Sequence, residues 1–157
     1  MIKVIFVCMG NICRSPTAHG AFAKLVKEQE MDHLIQISSA GTHDYHVGEP
    51  PDKRAQAVAL RRGVNLSSLR ARHVTRKDLD THDYVLAMDS HNLTHLKAMG
   101  GPGYEQKLRL FLDFAPHLHV REVPDPYYGG EKGFEQVLDM IEVASEGLLS
   151  EIRKTQM

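Results

Sequence analysis

The stretch Cys8-Met9-Gly10-Asn11-Ile12-Cys13-Arg14-Ser15 decides how the rest of the chain is read. Ahead of it runs the apolar Val4-Ile5-Phe6-Val7, which predicts a buried strand. Behind it come Ser15-Pro16 and then Ala18, Ala21, Phe22, Leu25 and Val26, spaced as one face of a helix. Ser15 suits the N-cap of that helix and Pro16 its first turn. The order of strand, tight loop and helix start aims unpaired N–H groups and a positive dipole end at the loop, which is how anions are bound. Gly10 lets the backbone approach closely, and Asn11 tolerates positive φ better than most residues.

The residue types fit a phosphoryl group. A free thiol is mostly protonated at neutral pH, and a helix N-terminus and a nearby guanidinium both favour the thiolate, so Cys8 is the candidate nucleophile. Arg14 is planar, always charged and able to hold two phosphoryl oxygens at once. The loop amides of Met9, Gly10, Asn11, Ile12, Cys13, Arg14 and Ser15 would take the third oxygen and the charge that develops during transfer. The plainer reading makes Cys8 a small buried hydrophobe at a strand end. It leaves an arginine against the positive end of a helix, an objection that a bound anion removes.

Further along, Leu34-Ile35-Gln36-Ile37-Ser38 predicts a second strand, and a polar loop follows from Ser39 through Pro50-Pro51. Residues 52–62 predict a helix that Gly63 ends. Asp83-Tyr84-Val85-Leu86-Ala87-Met88 is a third strand, after which Asp89 or Ser90 caps a helix running toward Met99. Gly100-Gly101-Pro102-Gly103 breaks it, and Leu108-Arg109-Leu110-Phe111-Leu112 is a fourth, shorter strand. A loop spans residues 116–130. The last helix carries Phe134, Val137, Leu138, Ile141, Ala144, Leu148, Leu149 and Ile152 as one apolar stripe. Strands alternating with helices predict a single α/β domain, residues 1–157, with a parallel sheet covered by helices on both faces. Ligands of such sheets sit at the carboxyl ends of the strands, where Cys8, Ser39, Asp89 and the 116–130 loop all fall.

Composition narrows the function. The chain has 157 residues, 42% of them hydrophobic and 25% charged, with a net charge of −1. No polyanion-binding face is indicated, so nucleic acid is not an expected partner. Two cysteines cannot build a disulfide framework, which points to a reducing cytoplasm. The apolar run at the N-terminus is too short for a signal peptide, and nothing approaches a membrane span. Of the ten histidines, His91 and His95 lie one helical turn apart, and His117 and His119 would share a strand face. Neither pair has a third ligand at convincing spacing, so no metal is expected.

The loop CMGNICRSP and the distant Asp125-Pro126-Tyr127-Tyr128 together resemble the low-molecular-weight protein tyrosine phosphatases, over essentially the whole chain. The resemblance implies a flavodoxin-like four-stranded sheet in the order 2-1-3-4. It makes Asp125 the general acid, where the local reading is an Asp-Pro turn. It places Tyr45, Tyr127 and Tyr128 as cleft walls and pairs Asn11 with Ser39 in support of the loop. Ser15 is then both a plausible cap and a plausible donor to the thiolate, and Cys13 a candidate redox partner for Cys8. The implied activity is hydrolysis of phosphotyrosine in proteins, without a cofactor, through a cysteinyl-phosphate. The implied partners are tyrosine-phosphorylated proteins, a tyrosine kinase among the candidates, with the chain a monomer or weak dimer. Two alternatives share the fold. Arsenate reductases use further cysteines outside the loop, which this chain lacks, and phosphoarginine phosphatases carry threonine where Ile12 stands. A non-enzymatic phosphate-binding module would need Arg14 but neither Cys8 nor Asp125. Residues 63–72 lack a histidine that some family members have there.

Overall fold

A computed structural model describes residues 1–127 and 129–156. The strand ahead of the loop is β1 (Ile2–Cys8), and Val4, Ile5, Phe6 and Val7 are completely buried in it. It sits in the middle of a four-stranded sheet of order β2-β1-β3-β4, with β2 (Ile35–Gly41), β3 (Tyr84–Ala87) and β4 (Leu108–Leu110). All neighbours are parallel, so their carboxyl ends come out on one edge: Cys8 lies opposite Gly41, and Val7 opposite Ala87. The expected strand order therefore holds.

Alternate residues of β1 supply two cores. Val4 and Phe6 face α1 (Arg14–Glu28) and α5 (Gly130–Gln156), packing with Phe22, Leu138 and Ile141. Ile5 and Val7 face α3 (Arg76–Thr81) and α4 (Ser90–Gly100), packing with Leu79 and Leu96. Each such fully buried side chain is worth about 1.5–3 kcal/mol against exposure, so the strand that ends at Cys8 is firmly anchored on both faces. The helix α2 (Lys53–Arg61) is capped by Asp52, whose side chain accepts from the Arg54 amide at 2.8 Å. No helix among the described residues is long and apolar enough to cross a membrane.

Four local expectations are corrected. The helix α1 begins at Arg14 with Cys13 in the cap position, so Ser15 lies inside the first turn and is not the cap. The strand β2 runs on through Ser39 and Ala40 to Gly41, because pairing to β1 continues as far as Cys8. The strand β4 stops at Leu110, and Phe111 and Leu112 turn into a 3₁₀ segment, Phe111–Phe114, that buries both under α5. His117 lies in another 3₁₀ turn, Pro116–Leu118, and His119 follows at φ 57°, so the two share no strand. Helix α3 appears where no helix was expected. Its six residues are too few for periodicity to register, although Thr75 and Asp78 form a capping box around its start.

Candidate active site

Loop and helix meet as the residue types demand. Asn11 adopts φ 57°, the left-handed conformation that asparagine tolerates, and this turns the chain back over the end of β1. Gly41 faces that turn: a Cβ there would stand 2.7 Å from the Met9 carbonyl oxygen, so only glycine permits the approach. No side chain caps α1, which leaves its first turn directed at the loop.

Cys8 is buried at the floor of a cavity of about 340 Å³. Its Sγ lies 3.0 Å from Ser15 Oγ and accepts from the Asn11 amide at 3.3 Å. Asn11 Nδ2 donates to Ser15 Oγ at 2.7 Å, while Asn11 Oδ1 accepts from the Arg72 amide at 3.0 Å. Ser15 Oγ, which accepts from Asn11, thus stands between Cys8 Sγ at 3.0 Å and the Ala40 carbonyl, to which it can donate at 3.5 Å. The Ser15 hydroxyl is therefore not a helix cap and lies against the sulfur. Asn11 thus ties the loop to Ser15 and Arg72, and the Ser39 hydroxyl meets His19 Nδ1 at 3.1 Å.

Arg14 reaches across the cavity from α1. Its Nη1 donates to Asp89 Oδ2 at 2.6 Å and to the Val123 carbonyl at 3.0 Å. Its Nη2 lies 3.9 Å from Asp125 Oδ2. Burial works against the charge of Arg14, but the Cys8 sulfur, and then Asp89 and Asp125, more than offset this and hold the guanidinium above its usual range. Asp89 does cap α4, with Oδ1 accepting from the Asn92 amide at 2.8 Å, and its second oxygen aligns Arg14. That second task carries no local sequence signal, because the partners are 75 residues apart.

Asp125 is partly exposed at the mouth, its Oδ1 accepting from the Tyr127 amide at 3.0 Å. Tyr45 and Tyr127 line the cavity with Met9, Ile12 and Cys13. Tyr45 is 68% exposed and stacks on His43 with ring centroids 5.2 Å apart. Tyr128 lies outside the described residues. Two contributors carry no motif of their own. His46 lines the cavity, and Arg54 lies over the rings of Tyr127 and Phe134, at 5.3 and 4.8 Å from their centroids. Among the described residues no group of three or more His, Cys, Asp or Glu side chains is arranged to hold a metal ion.

Comparison with known proteins agrees with this architecture. The model of the family described as low molecular weight phosphotyrosine protein phosphatase matches residues 3–157. A Bacillus subtilis relative, low molecular weight protein-tyrosine-phosphatase YfkJ, is 39% identical over 154 residues, covering 98% of this chain and 97% of that one. The Homo sapiens low molecular weight phosphotyrosine protein phosphatase is 40% identical over 137 residues, 86% of this chain and 85% of that one. Among solved structures, a protein tyrosine phosphatase from Entamoeba histolytica with Hepes in its active site superposes with a TM-score of 0.95 at 38% identity, covering all of both chains. With the sequence matched from end to end and the sheet superposed on these enzymes, the chain belongs to the low molecular weight phosphotyrosine protein phosphatase family.

Proposed function

We propose that this chain hydrolyses phosphotyrosine in proteins, and small aryl phosphates, in two steps through a cysteinyl-phosphate. The observation that carries the reading is the convergence of three groups on one cavity: Cys8 on its floor, Arg14 across it and Asp125 at its mouth. In the first step Cys8 Sγ attacks phosphorus in line while the bond to the phenolic oxygen breaks. Arg14 and the loop amides hold the equatorial oxygens, and protonated Asp125 gives its proton to the leaving phenolate. In the second, water attacks phosphorus, Asp125 takes its proton, the P–S bond breaks and inorganic phosphate leaves. Arg14 and the amides supply the positive field. Ile12 gives the cavity an apolar wall, and Tyr45 and Tyr127 offer flat faces to an aromatic ring. The substrates are accordingly tyrosine-phosphorylated proteins.

The deciding experiment is steady-state turnover of p-nitrophenyl phosphate with EDTA present. Wild type should be active, and Cys8→Ser should lose turnover but still bind inorganic phosphate, because a hydroxyl is a far poorer nucleophile while the Arg14 cup remains. A serine variant within tenfold of wild type would remove Cys8 from its role.

A further inference from the structure

A second concavity adjoins the first. A groove of about 770 Å³ is lined by Met9, Thr42, His43, His91, Thr94 and His95, together with Ser90 and Asn92 at the start of α4. Met9 is common to groove and cup, and is 42% exposed between them. A row of rings joins the two. Tyr45 lines the cup and stacks on His43 at 5.2 Å, and His43 in turn meets His95 at 5.7 Å. A peptide whose phosphotyrosine fills the cup advances at most about 3.6 Å per residue, so a neighbouring residue comes within reach of the groove.

The chemistry of the lining is one-sided. The imidazoles of His43, His91 and His95 and the hydroxyl of Thr94 offer donors, while Thr42 Oγ1 is bound to His43 Nδ1 at 2.8 Å and Ser90 to Glu122, and among the described residues no lining residue is a carboxylate. The acids nearby are already engaged. Asp89 holds Arg14 and the Asn92 amide, and Glu122 accepts from the Ser90 amide at 2.6 Å. Glu122 lies near enough to feel the charge of His91, and among the described residues neither His43 nor His95 has an ion pair with a carboxylate. His73, behind them, donates from Nε2 to the Thr42 carbonyl at 3.0 Å. His95 is held below the usual imidazole range, first by burial and then by His43 and His73, and an anion seated between the rings would oppose the second of these causes.

Resting on the phosphatase reading above, we propose that this groove is a specificity subsite that takes an acidic side chain flanking the phosphotyrosine, seated between His43 and His95. The test uses matched phosphotyrosyl peptides that carry Asp, Asn or Lys in turn at each of the three positions on either side, assayed at low salt. In wild type at least one position should show Asp above Asn by fivefold or more in kcat/KM, with Lys below Asn. The gap should shrink severalfold in 0.5 M salt, a readout that needs no variant. In His95→Gln the gap should close, and in His95→Lys it should persist. p-Nitrophenyl phosphate, too short to reach the groove, should be turned over alike by all three proteins. Equal Asp and Asn peptides in wild type, or a gap unchanged in His95→Gln, would overturn the proposal. Failure of the phosphatase reading would show itself separately, as no turnover of p-nitrophenyl phosphate by wild type.

Discussion

Asp125 is set apart from the other charged groups of the site by its exposure: Arg14 is buried, whereas Asp125 stands at the mouth, where a leaving group departs. Its contribution should therefore depend on the leaving group. In Asp125→Asn the rate should fall by roughly 10²–10⁴-fold for phenols of high pKa and much less for p-nitrophenol, since general-acid help matters most where the phenolate is poor. Plots of log kcat against phenol pKa should be steeper for the variant, and equal slopes would place the acid elsewhere. Cys13 differs from Cys8 in environment although both line the cavity. Burial, then the charges of Asp52 and Cys8, push the Cys13 thiol well above its usual range. As the proposed partner of an oxidised Cys8, Cys13 should therefore act slowly at neutral pH and faster as pH rises, because only its thiolate attacks. After peroxide, wild type should lose about two mass units, recover with dithiothreitol, and show more disulfide at pH 8.5 than at pH 6. Cys13→Ala should gain oxygen and recover poorly, and equal recovery of the two proteins would end this role.

At the scale of elements, α2 reaches both sides of the site. The Asp52 amide donates to the Ile12 carbonyl at 2.8 Å, tying the start of α2 to the phosphate loop. One turn in, Arg54 binds Asp52 through Nε and Nη2 at 3.1 and 3.0 Å and lies over Tyr127 and Phe134. Because the Tyr127 amide in turn donates to Asp125, Arg54 is placed to position the proposed acid. Arg54→Ala should lower kcat by between a few-fold and about 10²-fold, the range a misplaced group costs, with the loss greatest for poor leaving groups. Arg54→Lys should recover part of it, keeping the cation over the rings but not the paired bonds to Asp52. A loss independent of the leaving group would show that the acid is held by other means. Arg54 also marks the limit of what is legible in the chain. The elements that end at the site are written locally, in the apolar run before Cys8, the turn residues Gly10 and Asn11, and the apolar stripe of α5. The tasks of Arg54 and Asp89 depend on partners far along the sequence, and His46 enters the cavity only through the fold, so periodicity and capping rules do not expose them. Ser15 misleads for the same reason: its type suits a cap, and only the folded loop brings its hydroxyl against Cys8.

Over the whole molecule, several histidines are folded into the structure in their neutral form, and this sets the response to acid. Burial, then the charge of Arg72, pushes His19 down to about 4, and burial likewise lowers His82, which sits between the Ser38 hydroxyl and the Asp78 carbonyl. In the unfolded chain an imidazole takes its proton near pH 6.5. Between there and about pH 4 the unfolded state thus binds a proton that the folded state refuses at His19. Stability then rises with pH through this window, is fully present above it, and is lost as pH falls. For His19 alone the loss between pH 7 and pH 5 is roughly 2 kcal/mol, which for a domain of this size is a drop in Tm of about 4–8 °C. Asp52 and Asp78 act lower on the scale. Burial raises both, but the bonds to Arg54 and Arg72 outweigh it and leave their carboxyls below the usual range, so their contribution is present above the ordinary carboxylate pKa and lost only beneath it. Acid unfolding should accordingly begin at the histidines and be completed at the carboxylates. Calorimetry of wild type and His19→Gln from pH 7.5 to 4.5 checks the first stage. Glutamine cannot take a proton, so the variant should start lower at pH 7.5, where the bond to Ser39 is altered, and lose less Tm on the way down. Parallel pH profiles for the two proteins would show that His19 does not govern the acid limb.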